Sequence, residues 1–222
     1  MRRYLTEAEQ RKLLATAKRV NELLAQRDYH WMAALILTGM RIQEFSRLTA
    51  PQVRQALVCG WLVSLREHCK GKKHTNEYLV THPLRQHLQA LLKISDELAR
   101  AIEHDDEQLQ PLVWGRDVAG KAGHLSVRSY EARLKEWAVA ADLDARISPH
   151  WLRHTRGMNV INRTRGKDGL RVAKLALNHQ SIRSTGIYTQ MSREAYEAEI
   201  RMVDGGRVPR RVARELAQQG VM

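Results

Sequence analysis

Three short stretches of this chain carry side chains of the kinds that act on phosphate. Thr38-Gly39-Met40-Arg41-Ile42-Gln43-Glu44 offers Arg41, and Ser148-Pro149-His150-Trp151-Leu152-Arg153-His154-Thr155 offers His150 and Arg153 three positions apart. Leu177-Asn178-His179, followed by Tyr188, completes the set. Opening a DNA phosphodiester without a metal ion needs an attacking group, positive charge on the non-bridging oxygens and a proton for the leaving 5′-oxygen. Arginine suits the charge, because its planar fork donates two hydrogen bonds to phosphate and stays ionised. Tyrosine suits the attack where the broken strand has to be held. A phosphotyrosine keeps the bond energy, so a 5′-hydroxyl reseals the strand without ATP. Its phenol, with an ordinary pKa of about 10, needs nearby positive charge or a base to react. Each residue alone is ordinary. A helical histidine is more often a hydrogen-bonded structural residue, and Tyr188 is one of 6 tyrosines.

Positioning these groups falls to a mainly helical chain. Thr6 and Glu9 form a capping-box pattern, and Leu13, Leu14, Ala17, Val20 and Leu24 recur at helical spacing, which predicts a helix over 6–26. An apolar helix follows over 28–38, ended by Gly39, and a short one starts near Arg41 with Ile42, Phe45 and Leu48 inward. Trp61–Leu65 and Glu77–Thr81 read as strands of a small antiparallel hairpin, with the basic turn Lys70-Gly71-Lys72-Lys73 between them. Pro83 opens a helix to about 104, residues 105–124 read as a loop or hinge, and Ser126 caps a helix to about 142. Pro149 opens the helix bearing His150 and Arg153, to about 162. A loop over Asn162–Gly169 and helices over 170–177 and 193–203 follow. The fold class expected is mainly α with a small antiparallel β-sheet.

The 222 residues suit one domain, or one domain with a tail. With 37 Lys+Arg against 24 Asp+Glu the net charge is +13, which points to a polyanionic partner. No apolar run approaches the ~20 residues of a membrane span, and no signal core follows the N-terminus, so a cytoplasmic, nucleoid-associated protein without a membrane partner is expected. Cys59 and Cys69 flank a predicted strand and read as structural thiols.

Taken together, the stretches resemble the catalytic domain of the tyrosine recombinases, the phage-integrase family. Thr38–Glu44 resembles that family's box I, His150–Thr155 the start of its box II, and Leu177-Asn178-His179 with Tyr188-Thr189 its end. The resemblance runs from about residue 5 to 200. It implies that Arg41 and Arg153 clamp the scissile phosphate, that His150 assists proton transfer and that His179 supports the transition state. It makes Tyr188 the nucleophile of a 3′-phosphotyrosine link. Lys70, on the expected hairpin turn, is the implied general acid; Lys72 and Lys73 lie close enough to replace it and otherwise contact DNA. Glu44 reads as structural. Asn178 departs from the glycine usual before the histidine, and Asn162–Gly169 is longer than usual. The domain expected is 1–204, with 205–222 a basic tail. The N-terminal clamping domain of larger members has no counterpart in this sequence, which leaves a short recombinase or a fragment.

The expected function is site-specific DNA cleavage and rejoining with no metal, nucleotide or other cofactor. Double-stranded DNA is the partner, with a tetramer on paired sites, a monomer when free, and a possible accessory DNA-binding protein. The rivals are a non-cutting DNA-binding protein of the same fold, a type IB topoisomerase, an RNA-binding module and a metallohydrolase. The last would use His150, His154 and His179, but an arginine beside a dication is unfavourable and no catalytic glutamate separates the first two.

Overall fold

The computed structural model describes residues 4–69, 75–116, 120–164 and 169–178. Lys70, Lys72, Lys73, His179 and Tyr188, the expected helix over 193–203 and the boundary at 204/205 lie outside the described residues. The chain divides into two compact units between Arg156 and Gly157.

The first unit opens with α1 (Glu7–Lys18), where Thr6 and Glu9 form the expected capping box, and α2 (Leu23–Thr38) follows. The helix predicted over 6–26 therefore stops at Lys18, and the one predicted over 28–38 starts earlier, at Leu23. The amide of Gln26 donates to the carbonyls of Lys18 and Val20, at 3.0 and 2.6 Å, so one side chain takes up carbonyls that the end of α1 leaves over. Leu24 consequently faces outward, 48% exposed. After α3 (Ile42–Phe45) comes α4 (Ala50–Cys59), a helix that the sequence reading passed over. Pro51 occupies its first turn, where a missing N–H costs nothing. A second capping box, Thr49 with Gln52, starts this helix and Gly60 ends it in the left-handed region.

Strands β1 (Trp61–Ser64) and β2 (Asn76–Leu79) form the expected antiparallel hairpin, with Leu62 opposite Tyr78. Helix α5 (His82–Ala101) packs along α2. The stretch read as a loop contains a second hairpin, β3 (Trp114–Arg116) with β4 (Ala122–His124). Gly115 faces Gly123 across it, and a Cβ on Gly115 would meet the Leu125 backbone at 2.8 Å. Gly115 permits this close approach, and the facing glycines also remove the side-chain alternation that would have marked the strands. Helix α6 (Val127–Ala140) is capped by Ser126, as expected. Helix α7 (Pro149–Arg163) begins in the first unit. In the second unit α8 (Gly169–Ala176) starts where Gly169 lies close to Ile161.

The core of the first unit joins Leu13 of α1, Trp31 and Leu35 of α2, Phe45, Leu88 of α5, Tyr130 of α6 and Leu152 of α7. Trp31 and Phe45 both meet the Tyr130 ring edge to face, at 4.9 and 6.1 Å. A buried ionic centre joins the same helices. Asp28 is fully buried and accepts from Arg27 (3.1 and 2.8 Å), the Trp31 indole (2.9 Å), Arg133 (2.6 Å) and the Trp137 indole (3.0 Å). Arg27 also donates to the carbonyl of Trp114, so α2, α6 and β3 meet at one carboxylate.

Where α2 and α5 pack, the Nδ1 atoms of His30 and His87 lie 2.9 Å apart, so one ring donates and the other accepts. Burial, followed by the charges of His87 and Lys18, lowers the His30 pKa to about 4. Burial and then Lys18 lower that of His87. The folded state thus resists protons that an unfolded histidine takes up near 6.5. Stability is full above 6.5 and falls as pH drops toward 4, because the unfolded chain then binds more protons. Thermal melts are expected to move down between pH 7 and pH 5, and the move shrinks when His30 and His87 are both replaced by glutamine. An unchanged pH dependence in that variant refutes the assignment.

Candidate active site

The site is built on the turn between α2 and α3. Gly39 takes φ 67°, in the left-handed region, and its N–H donates to the carbonyl of Leu35 at 2.8 Å. The Thr38 hydroxyl donates to the carbonyl of Ala34 at 2.8 Å and accepts from the N–H of Met40 at 3.2 Å. Glycine reverses the chain at no steric cost, and the threonine staples the reversal to the helix. Arg41 then becomes the N-cap of α3, with its side chain 31% exposed.

Helix α7 brings the second arginine to this turn. Pro149 sets its first turn, and Leu152 fixes its face in the core. Arg153 is 3% exposed and its Nη1 donates to the carbonyl of Gly39. A cation at the C-terminal end of α2 satisfies a carbonyl left over by the helix and meets the negative end of its dipole. Thr155, fully buried, donates to the carbonyl of Trp151 and accepts from the N–H of Leu5, both at 2.9 Å, which ties the start of the chain to this helix. His150, one turn before Arg153, is exposed and meets the His154 ring edge to face at 4.4 Å. Among the described residues no group of three potential metal ligands surrounds this pair.

Beneath the arginines lies Glu44, 1% exposed. Its Oε1 accepts from Arg41 at 3.0 Å and from the Asn76 amide at 3.1 Å. Its Oε2 accepts from the Tyr78 hydroxyl at 2.6 Å. Burial, and then the Glu44 carboxylate, push the Tyr78 phenol well above its ordinary range, against the opposing charges of Arg153 and Arg41. Tyr78 therefore keeps its proton and acts as a donor. Both arginines are thus near one buried phenol, and their positive charge is concentrated around a single turn.

The structure brings together Arg41 and Arg153, with His150 on the same helix as Arg153. Asn76 and Tyr78 were missed in the sequence. A signal existed: in Asn76-Glu77-Tyr78-Leu79 the side chains alternate, and an inward tyrosine needs a partner for its hydroxyl. Glu44, three residues after Arg41, was the buried acceptor available.

A family model described as the phage integrase family matches residues 3–195. The chain is similar to the tyrosine recombinase XerD of Haemophilus influenzae, with 28% identity over 86% of this chain and 59% of that one. It is also similar to XerD of Bradyrhizobium diazoefficiens, with 31% identity over 90% of this chain and 57% of that one. It therefore spans between 57% and 59% of the length of these relatives. Among solved structures, that of the XerA recombinase aligns with a TM-score of 0.64 at 20% identity, covering 92% of this chain and 64% of that one. The XerH recombinase, in a post-cleavage complex with a palindromic difH substrate, aligns with a TM-score of 0.63 at 17% identity, covering 90% and 53%. These two likenesses concern the fold. No described helix is long and apolar enough to cross a membrane.

Proposed function

The chain belongs to the phage integrase family, and from that premise we propose that it is a site-specific DNA recombinase. The observation that carries the reading is the meeting of Arg41 and Arg153 at the α2–α3 turn, with Glu44 beneath them. Two guanidinium groups so placed suit the two non-bridging oxygens of a phosphate and the charge that builds on them during displacement.

In the proposed reaction the Tyr188 oxygen bonds to phosphorus and the bond to the 5′-oxygen breaks. Arg41 and Arg153 hold the phosphate, and His150 and His179 assist. Lys70 protonates the departing 5′-oxygen, with Lys72 or Lys73 as the alternative donor; those not used contact DNA. Attack by a new 5′-hydroxyl on the 3′-phosphotyrosine returns the phenol and seals the strand. The phosphoryl bond is conserved throughout, so the chemistry asks for neither metal nor nucleotide. The substrate is double-stranded DNA. Four protomers on two paired sites would give one nucleophile for each strand, an accessory DNA-binding protein is a further partner in this reading, and the setting is the cytoplasm and its nucleoid. Residues 1–204 form the catalytic domain in this reading and 205–222 a basic tail.

The test is covalent trapping. The protein is incubated with nicked duplexes tiled across the DNA that flanks its own coding sequence, in EDTA, then denatured and digested. A DNA-linked peptide containing Tyr188 is expected. An adduct on another peptide overturns the choice of nucleophile. Binding without any adduct favours a non-cutting DNA-binding protein, and an adduct abolished by EDTA favours metal-dependent chemistry.

A further inference from the structure

A carboxylate that positions an arginine must itself be held. The last torsion of a glutamate side chain is broad, so the rotamer of Glu44 does not set the plane of its two oxygens. Hydrogen bonds have to do that, and the structure supplies them from one strand. Asn76 and Tyr78 are alternate residues of β2, on the same side of the strand. Asn76 donates to Oε1, the oxygen that also serves Arg41, and Tyr78 donates to Oε2 at 2.6 Å. Tyr78 is 3% exposed and Glu44 1%, so water does not compete for these bonds. Within the core Tyr78 pairs across the hairpin with Leu62, which fixes its ring independently of its hydroxyl.

We propose that Tyr78, seconded by Asn76, is a positioning residue for the cleavage reaction: it fixes the plane of the Glu44 carboxylate and thereby the place of Arg41 at the scissile phosphate. The inference rests on the reading of Arg41 as a phosphate clamp. It also makes β2 part of the site. Loss of the Tyr78 hydroxyl lets the carboxylate turn, and Arg41 loses its fixed partner. A misplacement of this kind acts on rate, because the arginine is most needed as charge builds in the transition state.

The experiment measures single-turnover adduct formation on the same nicked duplexes, carrying either a phosphate or a methylphosphonate at the scissile position. Replacing one charged oxygen by methyl lowers the demand for a positive clamp. Tyr78→Phe is expected to slow the phosphate reaction about tenfold, with DNA affinity close to wild type and a melting temperature lowered by a few degrees because the buried Glu44 Oε2 loses its donor, and to recover most of the rate loss on methylphosphonate. A defect that is merely structural slows both substrates equally, and that result overturns the proposal, as does a Tyr78→Phe rate equal to wild type. Arg41→Ala is the control on the underlying reading. Strong slowing on phosphate with recovery on methylphosphonate supports the clamp, whereas wild-type rates reject the clamp itself. Should Tyr78→Phe fail to fold, Asn76→Ala, at a half-buried position, is expected to show the same substrate dependence, and its absence is equally fatal. A DNA-free readout completes the test. In ¹⁵N spectra the two Nη signals of Arg41 are expected to be separate in the wild type and to merge in Tyr78→Phe as the guanidinium turns more freely. Identical spectra refute the coupling.

Discussion

Tyr188→Phe is expected to remove the covalent adduct altogether, a loss of more than about 10³-fold in cleavage, while leaving DNA binding at wild-type affinity. The substitution deletes one oxygen and keeps the ring. Everything that recognises DNA through charge survives it, since net charge stays at +13. What disappears is the atom proposed to bond to phosphorus, and phenylalanine offers no replacement. The measurement pairs trapping on nicked duplexes with a binding titration at fixed salt. Retained adduct means that another tyrosine attacks. Tyr78 is an unsuitable substitute, because its buried hydroxyl keeps its proton and donates it in a hydrogen bond to Glu44. Loss of binding along with the adduct would mean that the residue holds the fold and not the chemistry.

Asp28→Ala is expected to cost about 3–5 kcal/mol of stability and to lower the melting temperature by roughly 10 °C. The carboxylate is fully buried and answers two arginines and two indoles. Removing it leaves Arg27, only 6% exposed, as a buried cation without its carboxylate. It also strands the Trp31 indole N–H in the core. Asp28→Asn, which keeps the shape and one acceptor, should lie between the alanine variant and wild type. Urea and thermal unfolding monitored by circular dichroism read both. A loss below about 1 kcal/mol, the size typical of an exposed pair, would contradict the role given to this centre.

Much of the architecture was legible because periodicity and caps are local. Thr6 with Glu9, Ser126 and Pro149 each marked a helix start that the structure keeps, and the β1–β2 hairpin lies where alternation put it. The failures share a cause. Gln26 ends a helix by reaching back eight and six residues, and β3–β4 relies on Gly115, where a Cβ would strike the Leu125 backbone. Both are tertiary acts of residues whose local preference is weak. At the site, Arg41, His150 and Arg153 were chosen for what their side chains can do to phosphate. Asn76 and Tyr78 do nothing to phosphate, so no chemical criterion could select them. They act through Glu44, which is 32 and 34 positions away in sequence.

The bond from the Leu5 backbone to the Thr155 hydroxyl makes the entry to α1 a lever on the helix that bears Arg153. Force applied ahead of Leu5, by a tether or by a fused protein on too short a leash, would reach α7 two residues from the buried Arg153. Fusions at that end therefore call for a long, slack linker. Conversely, a short, stiff one offers a mechanical throttle on the proposed reaction.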